Sequence, residues 1–177
     1  MLTRGCKMKI HIIGGTGSGK TTLSRALANK FDLKIYELDD YYWKSEDNYT
    51  KKLTYDEMCN TFSNLVKDEE NFITEGCYYE CIDELLEKAD VIVFLNTPFK
   101  VRRKRIYMRF IKTKLRIIKP KRRPSFKSVF KLYKSAKKFN NEYVKIVKQM
   151  LEKHKHKSYI ITSKKEENNF INTLEKR

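Results

Sequence analysis

The segment Gly14-Gly15-Thr16-Gly17-Ser18-Gly19-Lys20-Thr21 constrains this chain more than any other. The chain has 6 glycines, and four of them fall here. The spacing matches G-x-x-x-x-G-K-[ST], a loop whose backbone N–H groups turn inward around phosphate oxygens. Its flanks fit. Met8 to Ile13 is a β-like run that stops at the first glycine. From Lys20 to Lys30, the apolar positions Leu23, Ala26, Leu27 and Phe31 keep a helical period. A strand, a glycine loop and a helix N-terminus in that order form an anion site. Gly14 to Thr22 are therefore the expected phosphate-binding residues. Lys20 would reach the β- and γ-phosphates, and the Thr21 hydroxyl would ligate Mg²⁺. The expected ligand is ATP with magnesium.

The rest of the chain alternates strand and helix patterns. Asp32 to Leu38 reads as a strand ending in Asp39-Asp40, and Tyr41 to Lys52 as a polar, aromatic loop. Thr54-Tyr55-Asp56-Glu57 resembles a capping box that opens a helix to about Lys67. Asn71 to Thr74 reads as a strand leading into Glu75-Gly76, and Ile82 to Lys88 as a helix. Val91 to Leu95 is continuously apolar, the pattern of a strand buried on both faces. Pro98 opens a helix to about Lys112. Ser125 caps a long helix, Tyr159 to Thr162 is a last strand, and Lys164 to Lys176 a last helix. Alternation of this kind predicts an α/β fold, a parallel sheet with helices on both faces. The 177 residues suit a single domain.

Ligands on such a sheet bind beyond the carboxyl ends of its strands. Asp39, Asp40 and Glu75 are placed there. Each can hold Mg²⁺ or accept a proton from a substrate. Val91 to Leu95 ends in Asn96, so it supplies no carboxylate.

Charge is uneven. The formal net charge is +17, and no Asp or Glu lies between Val91 and Asn141, where 18 of the 39 Lys and Arg residues sit. Such a surface attracts polyanions without choosing among triphosphate, nucleic acid and acidic lipid. Arg102, Arg105 and Arg109 fall at i, i+3 and i+7 of one helix and share a face. Arg105 and Arg109 are the preferred pair for holding a transferring phosphoryl group. The basic stretch that follows reads as a lid over about 105–128.

The four cysteines, Cys6, Cys59, Cys77 and Cys81, lack the spacing of a zinc site and read as reduced thiols. There is no secretory-type leader and no run long enough to span a membrane, so a soluble cytoplasmic protein is expected.

The P-loop, Tyr36-Glu37-Leu38-Asp39-Asp40-Tyr41-Tyr42-Trp43, Phe72-Ile73-Thr74-Glu75-Gly76, and Val91 to Pro98 with Arg105 and Arg109 together resemble the P-loop small-molecule and nucleotide kinases. Within that adenylate-kinase-like group, they are most similar to the DNA topology modulation (FlaR-related) proteins. The resemblance spans about Met8 to Leu174. It implies a three-layer P-loop NTPase fold with sheet order 2-3-1-4-5 and a basic lid. It places adenine near Thr162-Ser163-Lys164, making Ser163 a nucleotide-binding residue, and an acceptor region at about 41–70. It also implies phosphoryl transfer from ATP, with Lys20, Asp39, Arg105 and Arg109 as catalytic residues and Thr21, Asp39 and Glu75 around the metal. One departure stands out. Tyr41 to Tyr79 contains no arginine to hold an acceptor monophosphate, which argues against a true adenylate kinase. Tyr41, Tyr42 and Trp43 offer stacking surface instead.

The expected function is ATP-dependent phosphorylation of a nucleoside, nucleotide or other small hydroxyl compound. The alternatives are a nucleic-acid-binding ATPase or polynucleotide kinase acting through the basic 100–138 stretch, and an ATP-binding regulator without transfer. Phe126, Phe130, Tyr133 and Phe139 interleave with the basic residues, but they fall mostly on the helix's apolar period, so core packing explains them better than stacking on bases.

Overall fold

The computed structural model describes residues 7–42, 52–78, 80–118 and 125–176. Trp43, most of the aromatic loop after it, and part of the basic lid (119–124) lie outside the described residues.

Strand β1 (Lys9–Ile13) runs into the glycine loop and helix α1 (Lys20–Phe31). Strand β2 (Lys34–Glu37) is followed by one helical turn, α2 (Leu38–Tyr41). Helix α3 (Tyr55–Leu65) begins at the Thr54/Glu57 capping box that the sequence indicated. Then come β3 (Phe72–Gly76), α4 (Asp83–Lys88), β4 (Val91–Leu95) and α5 (Phe99–Lys114). Helix α6 (Phe126–Lys138), capped by Ser125, continues through a π-helical turn (Phe139–Tyr143) into α7 (Val144–Lys153). Strand β5 (Ser158–Ile161) and α8 (Lys164–Leu174) close the chain.

The five strands pair in the order β2-β3-β1-β4-β5, every pairing parallel. Alternate residues of each strand supply opposite faces. Ile10 and Ile12 of β1 and Val91, Val93 and Leu95 of β4 pack with Leu23, Leu27, Phe170 and Leu174, so α1 and α8 cover one side. Ile13, Ile92 and Phe94 pack with Phe62, Leu85, Phe139, Val147 and Leu151, so α3, α4 and the long helix running from α6 into α7 cover the other. This is the two-faced α/β sheet the alternation predicted. Strand β4 is buried on both faces at every position and carries no polar residue.

His11 is a buried polar residue of β1. It is 1% exposed, and its Nδ1 lies 2.6 Å from Thr74 Oγ1. Burial lowers its pKa to about 3, so the ring is neutral.

Three expectations change. Asp39 and Asp40 do not continue a strand; they form the helical turn α2, because β2 stops once its pairing with Glu75 ends. Cys59 and Cys81 are not free thiols. The start of α4 packs on α3, bringing their Cα atoms to 4.8 Å, and a disulfide joins them. Cys77, nearer to Cys81 in sequence, is free. Finally, the α6 aromatics divide. Phe139 is buried, whereas Phe126 and Phe130 are 77% and 57% exposed. Packing explains Phe139, whereas Phe126 keeps an edge contact with Phe110 (centroids 5.0 Å apart) and both it and Phe130 stay largely in water.

Candidate active site at the phosphate loop

The loop is held from both neighbouring strands. The Gly14 N–H donates to the Gly76 carbonyl at 3.4 Å, and the Thr97 hydroxyl beyond β4 donates to the Ser18 carbonyl at 3.0 Å. Gly17 and Gly19 take φ of 79° and 110°, which L side chains rarely adopt. Gly19 ends the loop as the N-cap of α1, so the helix N-terminus opens onto its concavity.

Lys20, Thr21 and Glu75 converge. The Thr21 hydroxyl donates to Glu75 Oε1 at 2.5 Å, and Lys20 Nζ lies 3.9 Å from Glu75 Oε2. Glu75 is 4% exposed. Its pKa is raised, by burial first, and the Lys20 ammonium and the Thr21 hydrogen bond only partly offset that. A buried hard-oxygen pair beside a lysine fits Mg²⁺ and its phosphate ligands: the hydroxyl and the carboxylate are the oxygen donors this ion prefers. Among the described residues, no group of three or more His, Cys, Asp and Glu forms a metal cage.

Asp39 lies on the exposed side of the same rim. The Tyr78 hydroxyl donates to Asp39 Oδ1 at 2.6 Å. The Tyr78 phenol is driven well above its ordinary value by burial and by the Asp39 charge, so it stays a donor. Asp40 is exposed on the same turn. Tyr42 packs on Tyr78 with ring centroids 4.8 Å apart, so part of the expected stacking surface is spent inside the protein.

The three arginines of α5 separate. Arg105 Nη1 donates to the carbonyls of Ser18 (2.6 Å) and Gly17 (3.3 Å), gripping the outside of the loop. Arg109 is exposed one turn further on. Arg102 is 2% exposed. Its Nε donates to the Thr97 carbonyl at 3.1 Å and its Nη2 to Asn140 Oδ1 at 3.3 Å. The Phe99 and Phe139 rings flank its guanidinium at 5.7 and 5.4 Å. Nη1 has no hydrogen-bond partner and lies against the loop. Burial pushes the Arg102 pKa down, with no carboxylate opposing it. Ser163 caps α8 beyond β5 and accepts from the Glu166 N–H.

Sequence reasoning assigned no role at this rim to Tyr78 or Asn140, and it named Arg102 on the arginine face without its burial. The i, i+3, i+7 spacing gave the shared arginine face. It could not tell which arginine the C-terminal helix would bury.

A family model described as an AAA domain matches residues 10–116. The chain belongs to the AAA domain family. The AAA domain match runs from β1 into the turn after α5, so the P-loop, Asp39, Glu75 and all three arginines fall inside it, whereas Asn140 and Ser163 fall outside. One curated relative, the Bacillus subtilis (strain 168) uncharacterized protein YqaC, is 32% identical over 100 residues, which is 56% of this chain and 55% of that protein. The match thus spans about half the length of that relative. Among solved structures, the deoxyadenosine kinase of M. mycoides with bound dATP superposes with a TM-score of 0.51 at 17% identity, over 95% of this AAA domain chain and 100% of the kinase. The shikimate kinase of Bacteroides thetaiotaomicron gives a TM-score of 0.51 at 21% identity, over 96% and 97%. At such identities the likeness establishes the fold, that of the P-loop nucleotide and small-molecule kinases.

Proposed function

We propose that this AAA domain protein is an ATP-dependent phosphotransferase that moves the γ-phosphoryl group of MgATP to a small hydroxyl acceptor. The observation that carries this reading is the convergence of Lys20, Thr21 and Glu75 at the mouth of the P-loop. A loop in which the Thr21 hydroxyl bonds a buried carboxylate beside a lysine is arranged for a cation and a triphosphate. Two fold neighbours, a deoxyadenosine kinase and a shikimate kinase, support a small-molecule acceptor.

In this reading, the loop N–H groups and Lys20 hold the β- and γ-phosphates. Mg²⁺, when bound, neutralises charge on the phosphoryl oxygens, and Thr21 and Glu75 are the residues that would hold it. Asp39, oriented by the Tyr78 hydroxyl, accepts the acceptor's proton as the new O–P bond forms and the bond to the ADP oxygen breaks. Arg105 fixes the loop from outside. Arg109, exposed beyond it, comes to the phosphoryl group on lid closure. Arg102 supplies positive charge from behind the loop. Ser163 lies on the adenine side.

The test is a screen of nucleosides, nucleotides and small polyols with γ-labelled ATP. Transfer to at least one acceptor is expected, lost in Lys20→Met. Asp39→Asn should lose transfer and keep ATP binding. ATP binding with no acceptor in a broad panel would favour a regulator instead.

A further inference from the structure

We infer that the outer face of α5 is a docking surface for an anionic lipid bilayer, independent of the phosphotransfer reading. Among the described residues, nine of the thirteen exposed large apolar side chains lie between Val101 and Leu132. Four of them are on α5, Val101 (41% exposed), Tyr107 (46%), Met108 (42%) and Ile111 (46%), and Leu115 (65%) is its C-cap. At about 100° per residue they share an arc of roughly 120°, and from Val101 to Leu115 they run for roughly 21 Å. The buried residues of the helix, Arg102 and Ile106, lie on the opposite side and face the P-loop. Helix α5 is thus apolar or occupied on its inner face and apolar again on the face turned to water.

The borders of the outer stripe are basic. On the same helical wheel, Arg103 and Lys114 flank one edge and Lys112 the other, Lys104 stands within it, and Arg105 is turned inward onto the Ser18 carbonyl. No acidic residue occurs anywhere on this helix. An apolar stripe edged by long cationic side chains suits a bilayer interface. The apolar groups enter the acyl boundary while lysine and arginine reach up to anionic headgroups.

Other occupants fit less well. Nucleic acid would use the charge but has no use for exposed Met108, Ile111 and Leu115. A second copy of a chain carrying +17 would bring like charges together along both borders. A partner that wraps a helix is blocked, because a Cβ at Gly17 would sit 2.9 Å from the Arg102 carbonyl, so the inner face has no room. A flat anionic surface needs only the outer face.

The experiment is co-sedimentation of the full chain with phosphatidylcholine vesicles, with and without about one-third phosphatidylglycerol. The comparison is Met108→Gln/Ile111→Gln/Leu115→Gln, which keeps every charge. Wild type is expected on the anionic vesicles only, with the triple variant weakened roughly tenfold or more. The triple variant's thermal shift with pyrophosphate should match wild type, showing that it is folded. Absence of wild-type binding to anionic vesicles overturns the inference. Equal binding by the triple variant also does, since charge alone would then account for adhesion. So does loss in the triple variant of a concentration-dependent dimer, or of duplex DNA binding, in place of vesicle binding.

Discussion

Arg102 Nη1 lies so close to Gly15 that a Cβ built on that glycine would stand 2.3 Å from it. The same Cβ would stand 2.7 Å from the Phe139 ring. The second glycine of the phosphate loop is therefore fixed by a buried cation and a ring from the π-helical turn between α6 and α7, not by its own φ. Gly15→Ala should destabilise the protein by about 1–3 kcal/mol, as overpacking does. Denaturant unfolding checks this, and a stability change below about 0.5 kcal/mol would be inconsistent with that contact.

Arg102 itself is a buried charge with no carboxylate beside it. Taking an unpaired charge out of water costs several kcal/mol, a cost that an apolar side chain of similar length does not incur. Arg102→Met should leave the melting temperature of the unliganded protein unchanged or higher. The added stabilisation from saturating pyrophosphate should shrink, because the counter-charge behind the loop is gone. A lower melting temperature with an undiminished pyrophosphate increment would mean that Arg102 serves structure only.

Glu75 gives a pH signature. Its folded pKa is raised by burial above the ordinary 4.5. An acid so shifted binds its proton more tightly when folded. Its favourable contribution is fully present below pH 4.5 and is lost as pH rises through the folded pKa. Glu75→Gln removes that loss. The variant should match wild type in stability below pH 4.5 and exceed it at neutral pH in the absence of ligand. Melting curves from pH 4 to 8 show it, and parallel curves would refute the burial argument. Magnesium-dependent gain in ATP affinity should fall in the same variant.

The Cys59–Cys81 bridge predicts a thiol count. With four cysteines and two of them paired, the denatured, unreduced protein should label at two thiols, Cys6 and Cys77, and after reduction at four. Four before reduction would show the bridge to be open.

Much of this arrangement was legible in the sequence for local reasons. The P-loop, the Thr54 capping box and the β4 run each depend on residues close together in the chain. The hidden parts depend on long-range packing. Arg102 is buried because Phe139 and Asn140, on a π-helical turn 38 residues later, close over it. Cys59 finds Cys81 across 22 residues because α3 and α4 pack together. Asp39 and Asp40 turn helical because the sheet pairing ends at Glu37, which no local pattern announces. Phe126 and Phe130 follow an apolar period, yet the face they mark looks outward.

The most direct test of the phosphate grip is calorimetric titration of MgATP into wild type and Lys20→Met. Saturable one-to-one binding to wild type is expected, weakened at least tenfold, or about 1.4 kcal/mol, by the substitution. Equal affinity of the two proteins, or no binding by wild type, would contradict the account.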